Sequence, residues 1–537
     1  MPATEMTVGA AAPKDKVSDA EQWPEQAPWV AMAPSVRALR ERVAACVEEL
    51  VSVVDEASAR GEDYESFERT LIARIFALGR LLTALFLTLT EARTEAPKRL
   101  TRGRARYRRQ PRKGRWLGTY FGKVRYWRSY MHQTNGRGGG FYPLDHALGL
   151  TADGFSFGVL GRAVLLATKM SFGAAATTMK GLLGWSPSTK IIERATLGLG
   201  RHTTAWFEQA PVPAAEDGDV LVIQTDSKAT PTATDEELAK RRGKRRPNPH
   251  PESARHRGRF KRQRRGSKKR RKKGDKSKNG KATTVVTMYT LRPAIGENGE
   301  VKLLGPLNRW TYASYAPKRH AVAIARREAD KRGFTAGSGK TVQILTDGDE
   351  DLERYVKKLF PDAIHTPDVI HCVEYLWKAA ACLYKEGSTT LSRWVAKRKD
   401  ELYGGRVWEM LETMNDAIGR IRHRKRRERY GKHLDYLVKR AHRMNYAELS
   451  ERDLELSTGA IEGAVRYVVS QRFDEGGMRW IKERAEALLQ LRCIQINDDW
   501  DQFVAFAHQR TLREQANRNP RLAQNTPEPL PTFGLAA

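Results

Sequence analysis

The sequence of 537 residues predicts an α/β protein with helical segments on either side of its strands. From residue 220 to about residue 370, short apolar runs alternate with helical patterns in the order β-β-β-α-β-α-β-α. Residues 35–92 and 373–449, in contrast, carry helical patterns only. Three antiparallel strands followed by βα repeats predict a layered α/β domain, in which the carboxyl ends of the strands form the functional edge.

The charge of the chain is concentrated in two segments. The formal net charge is +32, and residues 240–281 carry 22 Lys and Arg against two acidic residues. Residues 96–144 carry 14 Lys and Arg and no acidic residue, so that the rest of the chain is close to neutral. Dense local positive charge on a neutral body predicts binding to a polyanion, because neutralising phosphates releases counterions. The run at 240–281 holds too few apolar residues to fold alone and is expected to be disordered.

Several classes of protein are excluded by composition. A lone small module is excluded, since the length corresponds to roughly three or four folding units. The four cysteines are far apart and form no CxxC pair, which favours neither a disulfide framework nor a zinc ribbon. The longest mainly apolar run, residues 81–90, is about half of the roughly 20 residues that span a bilayer. With no visible secretory signal, we expect a soluble cytoplasmic protein without a membrane partner.

The N-terminal part predicts helices followed by a basic hairpin. Apolar residues at three-and-four spacing over residues 35–92 indicate two amphipathic helices. Residues 116–130 are rich in aromatic and β-branched residues, with Gly122-Lys123 expected as the two central turn residues. This predicts a β-hairpin with a basic, aromatic face, on which Arg125 is a candidate DNA contact. Residues 1–30 and 516–537 lack periodicity and are expected to be disordered tails.

Two short helices are predicted after the hairpin, at residues 171–184 and 186–200, from their capping serines and terminal glycines. Two interpretations remain open from spacing alone. One is a helix-turn-helix whose second helix presents Lys190 and Arg194 to the major groove. The other is a helical hairpin that packs in a core. Proximity to the basic hairpin in the sequence favours DNA contact.

Acidic residues follow two of the predicted strands. Asp226 and Asp347 each come directly after an apolar strand, whereas Asp349 and Asp351 lie further along and are less well placed. Converging carboxylates repel each other unless divalent cations neutralise them, and oxygen-only ligand sets select hard ions such as Mg²⁺ or Mn²⁺. A third acid has to come from another element, and Glu462 lies on a short apolar helix predicted to begin after Gly459.

These acids lie within motifs that resemble the DDE transposases of bacterial insertion sequences. The likeness is closest to the branch that is similar to eukaryotic Mutator elements, and it extends over residues 97–506. The motifs are Asp226, then Leu345-Thr-Asp-Gly-Asp, then Asp368-Val-Ile-His371-Cys-Val-Glu-Tyr-Leu-Trp377, and finally Gly459-Ala-Ile-Glu462 followed by Arg472 and Gly477-Met-Arg-Trp480. One departure is that Ser227-Lys228 follows the first aspartate, where glycine is more usual in the family.

The resemblance implies a fold and an activity. It implies an RNase H-like catalytic domain interrupted by an all-helical insertion, with an N-terminal helical and β-hairpin/HTH-like DNA-binding region. Asp226, Asp347 and Glu462 would be the catalytic triad and hold two Mg²⁺ (or Mn²⁺) ions, with Asp368 and His371 near the active centre. The implied reaction is strand cleavage at the element ends and transfer of the 3′-hydroxyl into target DNA.

The implied partners are double-stranded DNA, comprising the terminal inverted repeats and the target, and further copies of the chain, as a homodimer or higher oligomer on DNA. The implied location is the bacterial cytoplasm, in association with the nucleoid. Arg472 is a further candidate DNA contact, for which packing is an equal alternative. The rival hypotheses are a non-catalytic DNA-binding protein derived from a transposase, acting as a repressor or architectural factor, and a structure-specific nuclease.

The predicted organisation, in chain order, is a tail (1–30), a helical region (31–96), a basic hairpin with an HTH-like region (97–205), the first part of the catalytic domain (215–372, with the basic insertion 240–281), a helical insertion (373–456), the last part of the catalytic domain with the catalytic glutamate (457–515), and a tail (516–537).

Overall fold

The computed structural model describes residues 34–94, 96–136, 139–233, 280–296, 300–474 and 480–518. The predicted N-terminal tail and almost all of the basic run at 240–281 lie outside these residues, apart from residues 280 and 281, which begin a strand. The chain divides into two compact units. Of the described residues, the first unit comprises those within 34–163, 176–188 and 508–518, and the second unit comprises those within 164–175 and 189–507.

The first unit is built on a helical hairpin and a three-stranded antiparallel sheet. Ser35 begins the first helix as predicted, because its side chain accepts a hydrogen bond from the Ala38 amide at 3.0 Å. The elements are α1 (Val36–Arg60), α2 (Tyr64–Thr94), β1 (Arg99–Arg102), β2 (Ala105–Thr119), β3 (Gly122–Gln133), α3 (Pro143–Ala147) and parts of α4 (Phe157–Lys169) and α5 (Phe172–Leu183). The predicted pair of N-terminal helices is confirmed.

The predicted β-hairpin is confirmed, but its turn lies two residues earlier than expected. Thr119 pairs with Gly122 in the register of β2 and β3, so that Tyr120 and Phe121 are the central turn residues. The hydroxyl of Thr119 accepts a hydrogen bond from the Phe121 amide at 3.2 Å and donates one to the Gly122 carbonyl at 2.8 Å. This threonine closes the turn. Gly122, which has a positive φ, is therefore the first residue of β3 and not a central residue of the turn.

Buried charge joins the hairpin to the segment that follows it. Asp145 accepts hydrogen bonds from Arg115 at 3.0 Å and from the Tyr126 hydroxyl at 2.8 Å, and it forms an ion pair with Arg128. Arg128 is 8% exposed. Part of the basic charge of this segment is therefore neutralised inside the unit. The exposed cations of β2 are Arg106, Arg108, Arg109, Arg112 and Lys113.

Helix α2 is long and apolar enough to cross a membrane by length and composition alone. This apolar stretch of 18 residues is longer than the apolar run at residues 81–90, because up to two charged residues are included in it. Mostly buried core helices of soluble proteins have the same length and composition, whereas 17% of the apolar stretch of α2 is buried.

The second unit contains a five-stranded mixed sheet and the helices around it, which confirms the α/β class. Its elements are α6 (Thr189–Gly200), α7 (Thr203–Gln209), β4 (Val220–Pro231), β5 (Gly280–Ile295), β6 (Val301–Ser314), α8 (Lys318–Lys331), β7 (Thr341–Thr346), α9 (Glu350–Leu359), β8 (Ile364–Pro367), α10 (Val369–Leu383), α11 (Thr389–Tyr403), α12 (Val407–Asp416), α13 (Arg424–Val438), α14 (Tyr446–Glu451), α15 (Gly459–Val465), α16 (Lys482–Ile496) and the first part of α17 (Trp500–Arg518). Helix α17 continues to Arg518, so residues 516–518 of the predicted C-terminal tail are helical, and the rest of that tail lies outside the described residues.

The strand order of the sheet is β6-β5-β4-β7-β8. β4, β5 and β6 pair antiparallel, whereas β7 and β8 add parallel to β4. The sequence order β-β-β-α-β-α-β-α is confirmed. The prediction that the first strand ends before Asp226 was wrong, because antiparallel pairing with β5 continues β4 to Pro231. Only the parallel ladder with β7 stops at Thr225.

The helical segment after α10 shares a core with the sheet. One buried cluster joins Val222 and Leu345 of the sheet to Leu376 of α10, and to Tyr430 and Leu437 of α13. After α15, the chain continues as a π-helical stretch (Arg466–Asp474). The predicted helical insertion therefore packs onto the sheet through its own apolar face.

The largely buried carboxylate of Asp217 links the start of β4 to neighbouring elements. Asp217 accepts hydrogen bonds from Thr290 of β5 at 3.0 Å, from Asn308 of β6 at 2.8 Å and from Arg332, at the end of α8, at 2.8 Å. The Arg332 side chain is fully buried. Burial by itself would raise the pKa of Asp217, but the hydrogen bonds from Arg332 and Asn308 hold that pKa below its usual value.

We expect Asp217→Asn to lower the free energy of unfolding by about 3–5 kcal/mol, because it leaves the buried Arg332 guanidinium without its counter-charge. Urea unfolding followed by tryptophan fluorescence measures the loss. Since the pKa of Asp217 is lowered, its contribution is present above pH 3.8 and disappears as the pH falls through the folded-state pKa, so the two proteins should converge in acid. The neighbouring Glu216→Gln, in an exposed pair with Arg292, is the matched control and should change the stability by less than about 1 kcal/mol.

Candidate active site at the carboxyl edge of the sheet

Three aspartates form a row at the carboxyl ends of the parallel strands. The register pairs Thr225 with Thr346 and Thr346 with Pro367. The next residue on each chain is Asp226, Asp347 or Asp368. Adjacent strands lie about 4.8 Å apart, so the three residues occupy equivalent, neighbouring positions. The expectation that Asp226 and Asp347 meet at one edge agrees with this register.

Burial and neighbouring charges both shift the pKa of Asp226. Burial raises the pKa of Asp226, and the negative charges of Asp347 and Glu462 raise it further. The Ser227 amide, which donates a hydrogen bond to Asp226 at 2.5 Å, and the charge of His371 act in the opposite direction. The pKa of Asp347 is also raised, mainly by burial. The negative charges of both other acids of the predicted triad therefore act on Asp226.

The structure separates Asp347 from its acidic neighbours. Asp349 caps helix α9, where its carboxylate accepts hydrogen bonds from the Asp351 and Leu352 amides at 3.1 Å, and it forms an ion pair with Lys318. Asp351 is exposed and pairs with Arg354 at 2.7 Å. Asp347 accepts a single hydrogen bond of this kind, from the Asp349 amide at 3.1 Å. Of these three acids, Asp347 has the carboxylate most available to a ligand.

Asp368 is fully buried and holds its neighbours in place. It accepts hydrogen bonds from the Ile370 amide at 3.0 Å, from His371 Nδ1 at 2.8 Å and from the Thr458 hydroxyl at 2.6 Å. Burial alone would raise the pKa of Asp368, but these donors hold it below its usual value. The hydrogen bond to Asp368 raises the pKa of His371. Asp368 and His371 lie at this edge as a coupled pair, and Asp368 positions the chain that precedes Glu462.

A glutamine that the sequence analysis missed places the helix of Glu462 over the sheet. Gln224 is 1% exposed and lies two residues before Asp226, on the same face of β4. Its side chain donates to the Ser457 carbonyl at 3.3 Å and accepts from the Ile461 amide at 2.9 Å. Because the side chain binds both sides of the start of α15, it fixes the helix whose first turn carries Glu462. A lone glutamine in an apolar strand was the available signal, since buried amides require partners.

Lys228 continues the same face of β4. Its ammonium group donates to the Ser470 hydroxyl at 2.6 Å and lies 3.7 Å from the Asp474 carboxylate, both in the π-helical stretch. The departure at Ser227-Lys228 thus acquires a structural role. Gln224, Asp226 and Lys228 are alternate residues that all face the segment carrying Glu462.

A second glutamine anchors the same segment further upstream. Gln343 of β7 is fully buried, and its side chain donates to the Glu455 carbonyl at 2.7 Å and accepts from the Glu455 amide at 3.1 Å. The chain returning from the helical region is therefore held by paired amide hydrogen bonds before it reaches Thr458.

The helical region also supports the turn after β7. The Tyr436 hydroxyl donates to the Asp347 carbonyl at 3.0 Å, and Arg440 donates to the Gly348 carbonyl at 2.6 Å. Gly348 has φ +93°, and a Cβ there would lie 2.4 Å from the Tyr436 hydroxyl. Only glycine fits this position, which fixes the backbone of Asp347.

The oxygen donors of Asp226, Asp347 and Glu462 are of the chemical type that a hard divalent cation prefers. Burial is the main cause of the raised pKa of Asp226, and the negative charges of Asp347 and Glu462 add to it, so a bound cation would favour the ionised carboxylate. Within the described parts of the chain, no three His, Cys, Asp or Glu side chains are grouped closely enough to hold a metal ion as they stand. Glu462 is exposed, which leaves its side chain free to adjust.

The predicted DNA contacts lie in different environments. Arg125 is half-buried, with its guanidinium 5.8 Å and 5.5 Å from the ring centres of Trp116 and Trp127. Lys190 and Arg194 are exposed on α6. The opposite face of α6 packs in the second unit, since Ile192, Thr196 and Leu199 are buried.

Arg472 is not a surface residue. It is 2% exposed, donates to the Ala167 carbonyl at 3.0 Å and lies 4.8 Å from the ring centre of Trp480. The structure corrects the DNA-contact prediction for Arg472 in favour of the packing alternative. Of the Gly-Met-Arg-Trp motif, only Trp480 belongs to the described residues.

No family model matches the chain, and no curated protein matches it.

We expect Gln224→Met to loosen the start of α15 without unfolding the sheet. The substitution leaves the Ile461 amide and the Ser457 carbonyl without this partner, and an unsatisfied buried polar group costs about 1–3 kcal/mol. Hydrogen exchange of the amides in residues 459–463 should accelerate roughly 5- to 150-fold. The matched variant Gln343→Met should instead accelerate exchange around Glu455. Equal protection of residues 459–463 in Gln224→Met and in the wild type would contradict the anchoring role.

Proposed function

We propose that the chain is a DNA transposase of the DDE type, with an RNase H-like catalytic domain formed by the sheet and its flanking helices. The observation that supports the proposal is the pair of Asp226 and Asp347 at neighbouring positions of the parallel edge, with Glu462 in the first turn of the helix that Gln224 holds beside β4. Such a concentration of acids opposes phosphate binding unless cations are present. The strand order and the helical insertion that returns at Glu462 support the same proposal.

Asp226, Asp347 and Glu462 would hold two Mg²⁺ or Mn²⁺ ions. When bound, such ions activate an attacking oxygen and stabilise the leaving oxygen of an in-line displacement at phosphorus. Water would attack a phosphodiester at an element end and displace its 3′-oxygen, leaving a 3′-hydroxyl and a 5′-phosphate. That hydroxyl would attack a target phosphodiester at the same site, forming a new phosphodiester bond as the 3′-oxygen of the target strand leaves.

The other residues of the edge position the acids. Gln224 and Asp368 bind the start of α15 through the Ile461 amide and the Thr458 hydroxyl, and these contacts fix the position of the helical turn that carries Glu462. His371 donates its Nδ1 proton to Asp368, and its raised pKa favours a positive charge beside Asp226 and Asp347. Tyr436 and Arg440 hold the backbone of the Asp347 turn.

DNA binding is proposed for the basic segments. The exposed arginines of β2 would contact phosphates, and Lys190 and Arg194 on α6 are exposed and available for base edges. The run at 240–281 would add affinity that does not depend on DNA sequence.

The triad is tested by substitution in the full-length protein. Asp226→Asn, Asp347→Asn and Glu462→Gln should each lower strand cleavage by at least about 100-fold, since each removes a ligand of the cations that stabilise the transition state. DNA binding should persist, because a lost carboxylate reduces repulsion toward phosphate. The substrate is duplex DNA carrying the two sequences that flank the gene, and cleavage is measured on denaturing gels with and without EDTA.

Asp349→Ser is the matched control, since serine retains the helix cap but not the charge, and it should keep cleavage. Loss of activity in Asp349→Ser with retention in Asp347→Asn would move the metal site to Asp349. Undiminished cleavage in excess EDTA would remove the two-ion mechanism. Tight DNA binding with no cleavage under any divalent cation would favour the repressor or architectural alternative.

Sequence recognition is tested at α6. The double substitution Lys190→Ala with Arg194→Ala should erase most of the preference for terminal-repeat DNA over scrambled DNA, because two base contacts contribute about 1–3 kcal/mol each. Affinity for scrambled DNA should remain. A competition titration at physiological salt measures the ratio, since low salt lets phosphate contacts mask the difference. An unchanged ratio would assign recognition to another segment.

A further inference from the structure

The helical hairpin α1–α2 leaves large apolar side chains in solvent. Val47, Val51 and Val54 of α1 are 45–58% exposed, and Ile72, Ile75, Leu82 and Phe86 of α2 are 47–56% exposed. Single exposed apolar residues are ordinary, but an exposed apolar set of this size on one motif indicates a contact surface.

The spacing of these residues is that of a coiled-coil contact. On α1 the positions are separated by four and three residues. On α2 they follow 72, 75, 82 and 86, and position 79 completes the three-four-three-four repeat. These two sets of residues are called here the α1 stripe and the α2 stripe. Each stripe is continuous on one side of its helix, because a three-four repeat returns to the same face.

Gly79 interrupts the α2 stripe only in sequence. A Cβ at Gly79 would lie 2.3 Å from the Phe121 ring, so the ring from the β2–β3 turn occupies the space of the missing side chain. Phe121 is itself 38% exposed. The α2 stripe is thus continuous through Phe121, which explains why a glycine is accommodated within this helix.

The two stripes have opposite electrostatic surroundings. Residues 43–59 of α1 contain four acidic and no basic residues, whereas residues 69–90 of α2 contain three arginines and no acidic residue. Within the chain, Glu49 of α1 already pairs with Arg74 of α2 at 3.5 Å. Glu49 also lies 3.6 Å from Arg42, and Glu56 lies 3.8 Å from Arg60. Contact of two α1 stripes would still bring together the carboxylates of Glu48 and Asp55 from both copies, while contact of α1 with α2 places opposite charges side by side.

We propose that a second copy of this chain covers both stripes, with α1 of each copy packed against α2 of the other in a two-fold symmetric four-helix arrangement. A two-fold axis gives two identical α1–α2 contacts, which satisfies both stripes and both charge patterns at once.

The area is sufficient for a stable dimer. With about half of each of seven large apolar side chains exposed, the stripes offer on the order of 600–700 Å² per copy, or about 1,200–1,400 Å² in the pair, within the range of specific interfaces. A lipid surface is a poorer match, because the acidic flank of α1 would face anionic headgroups.

The association is measured by sedimentation velocity of the nuclease-treated full-length protein at micromolar concentration, without DNA and in about 0.5 M NaCl, which screens exposed charges strongly. The wild type should be a dimer. Val51→Glu and Leu82→Glu should each weaken the dimer at least tenfold, while their circular dichroism stays unchanged. Ser52→Glu, which adds the same charge at an exposed position next to the α1 stripe, is the matched control and should remain dimeric.

The arrangement is measured with thiol cross-linking, for which the four native cysteines form a low background because all are buried. A mixture of Val51→Cys and Ile75→Cys proteins should cross-link with a bismaleimide, and Val51→Cys alone should not. Efficient cross-linking of Val51→Cys alone would overturn the α1–α2 contact. A monomeric wild type, or a dimer indifferent to Val51→Glu and Leu82→Glu, would overturn the proposal.

A membrane role is the remaining alternative outcome. A monomeric wild type that floats with phosphatidylcholine/phosphatidylglycerol vesicles, and that Leu82→Glu releases, would assign the stripes to a lipid surface and overturn the proposal. All of these readouts are independent of strand cleavage, so they stand apart from the proposed catalytic function.

Discussion

The candidate site depends on one face of strand β4. Gln224, Asp226 and Lys228 alternate along that face, and all three lie toward the segment from Ser457 to Asp474. Gln224 and Lys228 hold this segment through hydrogen bonds on either side of Asp226. Because a buried amide is costly when it is unpaired, the contacts of Gln224 are strongly favoured once the chain is in place, and the partly exposed Lys228 adds a second set of contacts. Gln224 and Lys228 therefore bring the segment that carries Glu462 next to the strand that carries Asp226, although the two acids are far apart in the sequence.

Equivalent positions in the sheet acquire different roles from their surroundings. Asp226, Asp347 and Asp368 each follow the last paired residue of a parallel strand. Asp368 is fully buried and satisfied by three donors, which lowers its pKa. Asp226 and Asp347 have few donors, and burial raises their pKa values. The same residue type is therefore a structural anchor at one position and an available, repelling carboxylate at two others.

The helical region between α10 and α15 contributes to the site as well as to the core. Its apolar face joins the buried cluster of the sheet, and Tyr436 stacks on Tyr375 of α10 with ring centres 3.6 Å apart. The hydroxyl of Tyr436 then reaches the Asp347 carbonyl. An insertion that packed separately would leave the turn at Gly348 without this support. The position of Asp347 consequently depends on residues almost a hundred positions later in the chain.

The sequence by itself determined the element order, the α/β class and the strand-end position of Asp347, because apolar periodicity and strand length are local properties. It also placed Asp226 correctly at the parallel edge, although it ended β4 too early, since antiparallel pairing with β5 is a long-range contact. Local patterns could not show that Thr119 closes the hairpin turn two residues early, or that Arg472 is enclosed by Phe172 and Trp480. Tertiary structure alone decided which acid caps a helix and which stays available, and it alone revealed Gln224, because a side chain's role depends on which distant backbone groups it meets.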